Sequence, residues 1–381
     1  MSEGRATVLL APDKFKGSLT APQVVAALTR GLLSGDPDLR VRSVPVADGG
    51  DGTVQAALSA GYAPVSVTVE GPTGDPVRTT WARQGGVAVV ELADACGLSR
   101  LTGAPDPLGA SSRGLGEVLL DVLETDVERI VVGIGGSAST DGGAAMVAAL
   151  GARMRDAWGR RVKDGGGLLG ETAYLDVSGL HPRLAEVEIV VACDVDNPLT
   201  GPAGAAAVYG PQKGAGPHSV ALLDAALEHW ARLVRQATGS DYRDVAGAGA
   251  AGGVGFAAMA LLGARLRPGV ELVLELVDFE SQVAGADLVV VGEGSLDEQS
   301  LRGKAPVGVA AAARRAGVPV VAVCGRRDVS EAALDAVGIN GVHALTDLEP
   351  DPQECLHRGA ELLERLAVRL LPAIRARGAC P

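Results

Sequence analysis

Cysteine is scarce in this chain. The five present, Cys96, Cys193, Cys324, Cys355 and Cys380, are odd in number and show no C-x-x-C spacing. Neither a disulfide framework nor a zinc site is indicated, and a reducing, cytoplasmic setting suits such thiols. The histidines, His181, His218, His229, His343 and His357, lie scattered without metal-ligand spacing. Positive charge is in deficit: 34 Lys and Arg face 46 Asp and Glu, a formal net charge of −12. That balance opposes attraction to nucleic acid or anionic membranes and favours small-molecule partners. Long apolar runs are missing as well. Ala246 to Ala264 carries no charge over 19 residues but is mostly Ala and Gly, and it reads as a buried loop and helix rather than a membrane span. Met1 to Ala6 is polar and the apolar run after it is cut at Pro12 and Asp13, so no export signal is expected. No G-x-S-x-G elbow sits on a strand end, no G-x-x-x-x-G-K-[ST] loop occurs, and no fixed-period repeat appears.

What is present is one repeated grammar: a short Val/Leu/Ile run, a polar or glycine-rich tip, then a helical stretch, which spells parallel α/β structure. Its centre is Ile130 to Ala149, IVVGIGGSASTDGGAAMVAA. Ile130 to Val132 reads as a buried parallel strand. Gly133, Gly135 and Gly136 let backbone amides approach a ligand, and Ser137, Ser139, Thr140 and Asp141 are able to cap the helix that follows, whose N-terminus favours an anion. An ordinary βα turn has the same composition. Val8 to Pro12 ends in DKFKGS, and Thr20 with Gln23 and Pro22 marks a capping-box helix start. Val41 to Val46 ends in ADGGDGT, and Ala63 to Leu92 turns to alternating strands. Ile189 to Val191, Leu288 to Val291 and Val320 to Val323 end in ACDVDNPLTGPAG, GEGSLDEQSLRGKAP and CGRRD. Leu356, Leu363, Leu366 and Leu370 suggest an amphipathic helix after Pro352.

The 381 residues leave room for two or three domains. The terminal segments share the doubly wound grammar and the middle does not, so a discontinuous parallel-sheet domain, 1–62 plus 285–381, is expected to carry a large inserted α/β domain, 63–284. In open α/β sheets ligands bind beyond the carboxyl ends of the strands, and ionisable and glycine residues gathered at several such ends are what one catalytic cleft requires.

Each tip has its chemistry. Lys14 and Lys16 would hold a carboxylate or neutralise a transferring phosphate. Asp48 and Asp51 would ligate Mg²⁺ directly or through water, since that ion is usually held by one or two carboxylates plus substrate phosphates. Asp194, Asp196 and Asn197 follow a fully apolar strand, which puts charge at the edge of a buried sheet. Asp297 and Lys304 flank a second hydroxyl and glycine cluster. Turns and solvated lysines account for the same residues taken singly.

In this order, DKFKGSLTA (13–21), PVADGGDGT (45–53), GIGGSASTDGGAAM (133–146), ACDVDNPLTGPAGAAAVYGPQKGA (192–215), GAAGGVGF (249–256) and GEGSLDEQSLRGKAPVGVA (292–310) resemble the bacterial class I glycerate kinases. Asp51 stands where that family commonly has Glu, and Thr140 where Asn is common. The resemblance implies two α/β domains, one of them flavodoxin-like, and a transferase that phosphorylates D-glycerate with Mg-ATP, typically giving 2-phosphoglycerate. Phosphorylation of the 3-hydroxyl or of another small hydroxy acid stays open, as does a homo-oligomer. A dinucleotide oxidoreductase or a small-acid sensor is the more distant alternative.

Phosphoryl transfer needs positioning, Mg²⁺, positive charge and a carboxylate near the attacking hydroxyl. On that chemistry Asp194 is expected as the base. Asp48 and Asp51 are expected for Mg²⁺ or its waters, Lys14 and Lys16 for charge neutralisation, and Gly135, Gly136, Ser137, Ser139, Thr140 and Asp141 for phosphate cradling. Asn197, Asp297 and Lys304 complete the substrate or phosphate contacts.

Overall fold

The computed structural model describes residues 5–378. Among them run thirteen strands: β1 (Thr7–Pro12), β2 (Arg40–Ser43), β3 (Ala63–Glu70), β4 (Pro76–Gln84), β5 (Val87–Glu91), β6 (Arg129–Gly133), β7 (Arg153–Arg155), β8 (Tyr174–Asp176), β9 (Glu188–Ala192), β10 (Arg265–Arg267), β11 (Leu288–Leu296), β12 (Val320–Arg327) and β13 (Val342–Ala344). The chain is mixed α/β and divides into two compact units. One comprises Met1–Asp48, Gln55–Ala60 and Val270–Pro381; the other comprises Gly49–Val54 and Gly61–Gly269.

In the first unit the sheet order is β13-β12-β11-β1-β2, parallel throughout. Counted along this unit alone the order is 5-4-3-1-2, the flavodoxin-like arrangement, with its topological switch point between β1 and β11. Alternate side chains feed two cores, as a strand's two-residue period requires. Val8, Leu10, Val290 and Val323 pack with Leu28 and Leu32 of the helix Ala21–Gly35 and with Leu363 and Leu366 of the helix Gly359–Val368. Leu9, Ala11, Val289 and Val291 pack on the other face with Val309 and Ala313 of the helix Ala305–Arg315. The expected capping box is present: the Gln23 backbone N–H donates to Thr20 Oγ1 at 3.4 Å, and the Thr20 backbone N–H donates to Gln23 Oε1 at 2.9 Å.

The second unit's sheet runs β10-β9-β6-β5-β4-β3. β5, β6, β9 and β10 are parallel, whereas β3, β4 and β5 pair antiparallel. β7 and β8 form a separate ribbon. The core holds Trp81, Trp230 and Phe256 with Leu115, Leu119 and Leu123 of the helix Arg113–Leu123. The uncharged stretch turns through Ala251, Gly252 and Gly253, all with positive φ, and continues as a buried helix to Leu262. No helix among the described residues is long and apolar enough to cross a membrane.

Three expectations differ from what is observed. The compact units change at 48/49, 54/55, 60/61 and 269/270, where 62/63 and 284/285 were expected; the last change falls earlier because Val270, Val273, Val277, Phe279 and Val283 bury their side chains in the same core as Leu9 and Val289. The second strand ends at Ser43, although Val44 and Val46 still donate their N–H groups to the Leu10 and Pro12 carbonyls at 2.8 and 3.1 Å. After Pro352 the chain makes separate helices, Pro352–His357 and Gly359–Val368, so Leu356 is left exposed while Leu363, Leu366 and Leu370 are buried.

Candidate active site

In the first unit the switch point gathers ionisable groups. Asp13 follows the last residue of β1, its N–H donating to the Gly292 carbonyl of β11 at 2.9 Å. Its carboxylate accepts the Lys14 N–H at 2.6 Å. The side chain is only 8 % exposed, and burial, opposed by Lys14 and reinforced by Asp48 and Glu293, pushes its pKa up to about 7. Burial likewise raises Glu293 above the usual carboxylate range, against the opposing hydrogen bond from Ser300 and the charge of Lys304. Ser300 donates to Glu293 at 2.7 Å, and the Lys304 ammonium lies 3.6 Å from its other oxygen.

Of the residues expected at the site, Lys14, Asp48 and Lys304 therefore share this end of the sheet. Asp297 does turn-making work: it accepts the Gln299 and Ser300 N–H groups at 2.9 and 3.0 Å. The little burial it has would raise its pKa, and these hydrogen bonds together with Lys304 lower it overall. Lys16 is exposed, next to Gly17 with φ +81° in a tight Phe15–Leu19 turn.

In the second unit β5, β6 and β9 present their carboxyl ends along one edge, with Glu91, Gly133 and Ala192 in register. The segment Gly49–Val54 lies on that edge. A methyl on Gly133 would meet the Gly49 carbonyl at 2.8 Å, and one on Gly135 would meet the Gly50 Cα at 2.7 Å. Only glycine permits this approach. Glu91 accepts the Gly52 and Val54 N–H groups at 3.0 and 3.2 Å. Burial holds its carboxyl up at about 7, partly offset by those bonds and reinforced by Asp51. Asp194, two residues beyond β9, is exposed and accepts the Gly269 N–H at 2.7 Å. Gly269 also faces Gly49, whose added methyl would meet its Cα at 2.4 Å. Asp51, Glu91, Gly135 and Asp194 thus belong to one edge of this unit, whereas Asp48 belongs to the other unit. Asn197 braces its own loop, donating to the Ala203 carbonyl at 2.8 Å and accepting the Tyr209 hydroxyl at 2.6 Å.

The loop after β6 differs from the expected open cradle. Gly136, with φ +73°, is exposed and Gly135 is partly so, but Ser137, Ser139, Thr140 and Asp141 are buried. The Asp141 carboxylate accepts the Ser112 N–H at 2.9 Å, the Ser112 hydroxyl at 2.7 Å and the Gly143 N–H at 3.3 Å. Burial raises its pKa, against those hydrogen bonds. Lys213, only 2 % exposed, donates from Nζ to Ser137 Oγ at 2.7 Å and to the Ser139 carbonyl. Within this loop only the Gly135–Gly136 backbone is therefore open to solvent, and the hydroxyls and carboxylate shape the loop from behind.

Sequence reasoning passed over Asp13, Glu293, Ser300, Glu91, Ser112 and Lys213. Glu91 had a readable signal, because it ends a fully apolar strand just as Asp194 follows one. Lys213 stood inside the GPQKGA segment without an apolar strand to give its charge away. Among the described residues no group of three or more His, Cys, Asp or Glu side chains is placed to hold a metal ion by itself.

The fold and these strand ends define an α/β enzyme with acidic and glycine-rich tips. The chain matches the glycerate kinase family over residues 8–375 and belongs to that family. It is 43 % identical to the glycerate kinase of Bacillus subtilis (strain 168) over 372 residues, covering 97 % of each chain. It is also 43 % identical to the glycerate 2-kinase of Escherichia coli (strain K12) over 342 residues, covering 89 % of this chain and 90 % of the other. A crystal structure of a Salmonella typhimurium LT2 protein assigned as glycerate kinase 2 superposes with a TM-score of 0.84 at 41 % identity, covering 98 % of this chain and 99 % of that one. The protein is accordingly an enzyme of the kinase class.

Proposed function

We propose that the protein transfers the γ-phosphoryl group of ATP to the 2-hydroxyl of D-glycerate. The relative whose name specifies a 2-kinase supports the choice of hydroxyl. The observation that carries the chemistry is the second unit's edge, where Asp51, Glu91, Asp194 and the Gly135–Gly136 turn come together on parallel strand ends. Such transfer asks little covalent chemistry of the protein and depends on positioning and electrostatics.

Asp194 acts as the base: it is exposed at the strand end, one oxygen anchored by the Gly269 N–H, so its orientation is fixed while solvent-side access remains. The Gly135–Gly136 backbone faces the phosphate. Lys14, Lys16 and Lys304 supply positive charge, Asp297 shapes the turn that precedes Lys304, and Asn197 braces the loop after β9. The carboxylates fit a divalent cation. Burial is the main cause of the raised Asp13, Glu293 and Glu91 carboxyls, and the nearby carboxylates of Asp48 and Asp51 add to it; a cation beside those carboxylates would offset their mutual repulsion. Asp48 in the first unit and Asp51 in the second are each proposed to ligate Mg²⁺ or its waters, and bound Mg²⁺ would neutralise phosphate oxygens.

An ADP-release assay tests this proposal. D-glycerate with Mg-ATP should release ADP well above the rate without glycerate. Release with a different hydroxy acid and none with D-glycerate would reassign the substrate, and release with none would end the kinase proposal for this chain.

A further inference from the structure

Lys213 is the one buried lysine named above, and the transfer chemistry leaves it unused. It ends the short helical turn Pro211–Lys213 and reaches into the second unit's core. An ammonium in such a place loses its hydration, so it stays only where fixed acceptors replace the water. Two are at hand: Ser137 Oγ at 2.7 Å and the Ser139 carbonyl. Both belong to the loop whose exposed residues are Gly135 and Gly136. The same loop is gripped from another side by Asp141, which binds Ser112, whose hydroxyl in turn accepts the Met146 N–H at 3.0 Å. It is also anchored by backbone bonds, from Leu98 N–H to the Gly136 carbonyl at 2.9 Å and from Ala138 N–H to the Cys96 carbonyl at 3.2 Å. Within this scaffold the Ser139 and Thr140 hydroxyl oxygens are buried without a protein partner. These two hydroxyls therefore do not account for the loop's shape, and the charged anchor is the stronger tie, since hydrogen bonds from an ionised donor are roughly twice as strong as neutral ones.

We propose that Lys213 is a positioning residue of the kinase: its ammonium fixes the Gly135–Gly136 turn and gives that turn the positive field that receives the transferring phosphoryl group. This rests on the glycerate kinase reading and deepens it. The role belongs to the charge and not only to the packing. The neutral amine still donates hydrogen bonds, but the field is lost.

The groups that face the ammonium are Asp141 and the Cys96 thiol. Burial pushes the thiol up to about 12, so it stays neutral across the working range. Burial also lowers Lys213 from 10.5 to about 8, with Asp141 and Cys96 opposing. The charge is therefore present below pH 8 and lost above it. Stability moves the other way. Between about pH 8 and 10.5 the unfolded chain binds the proton that the folded chain has released, so this group's contribution to stability rises with pH. A falling activity with a rising relative stability is a signature that simple alkaline unfolding does not produce.

The test is kcat/KM against pH, from about 6 to 9.5, for the parent, Lys213→Arg and Lys213→Met, with melting curves at each pH. The parent should show an alkaline limb centred near pH 8. Lys213→Met should be roughly 10- to 100-fold slower at neutral pH, the range for lost second-layer and oxyanion-type support, and should lack that limb. Lys213→Arg stays charged throughout, so it should recover much of the loss and also lack the limb. The melting temperature of the parent relative to Lys213→Met should rise from pH 8 to 9.5. A Met variant within three-fold of the parent, or one that keeps the parent's limb, overturns the proposal. If the Met variant does not fold, the Arg variant decides by the presence or absence of the limb. If neither folds, a parent without an alkaline limb overturns it and one with the limb sustains it. A parent inactive on glycerate at every pH overturns the kinase reading instead, so the two failures are separable.

Discussion

At the scale of single residues, burial sorts the ionisable groups into two kinds. Asp194 is exposed with one oxygen tied to the Gly269 N–H, whereas Asp13 and Glu91 are buried and held near 7. Asp194→Asn is expected to lower kcat by roughly 100-fold or more with an unchanged melting curve, the range for a positioned general base. Activity within a few-fold of the parent would remove Asp194 from the mechanism. Glu91 makes a contrary prediction about stability. Its folded-state pKa of about 7 exceeds the ordinary 4.5. The folded chain therefore keeps a proton that the unfolded chain has released, and this group's contribution to stability falls as pH rises through that window. Glu91→Gln cannot ionise, so its melting temperature relative to the parent should climb between about pH 5 and pH 8. A constant difference would show that the Gly52 and Val54 hydrogen bonds balance the cost of burying the charge.

At the scale of elements, close backbone approach decides which glycines matter. The helix Ala21–Gly35 lies against Gly359–Val368, and a methyl added at Gly31 would sit 2.2 Å from the Glu364 carbonyl oxygen and 2.7 Å from the Ala367 Cβ. Neither is the far end of a flexible side chain, so the helices must separate. Gly31→Ala is expected to destabilise by about 1–3 kcal/mol, the usual range for overpacking, read as a lower urea midpoint at unchanged slope. An unchanged midpoint would mean that the helices slide past each other at little cost. This contact was not legible in the sequence, since Gly31 sits in an unbroken helical pattern and its partner is over three hundred residues away. The capping box at Thr20 and Gln23 was legible, because a cap is a local bargain between a side chain and the next turn. The loop after β6 was legible in place but the burial of its side chains was not. Its hydroxyls and Asp141 read as a phosphate cradle, yet their partners Ser112 and Lys213 come from distant segments, so their burial had no local signature.

At the scale of the whole molecule, the α/β grammar of short apolar runs and polar tips carried the fold class, because parallel strands buried on both faces leave a plain hydrophobic record. The second boundary was expected fifteen residues or so beyond the point where the compact units divide. Helical segments between Val270 and Val283 have no grammar of their own that says which core they join; only their packing against Leu9 and Val289 does. The activity itself is most directly tested by phosphorus NMR of the product made from D-glycerate and Mg-ATP. A single new phosphomonoester, coincident with added 2-phosphoglycerate and distinct from added 3-phosphoglycerate, is the expected result. A product coincident with 3-phosphoglycerate, or no phosphomonoester at all, would contradict it.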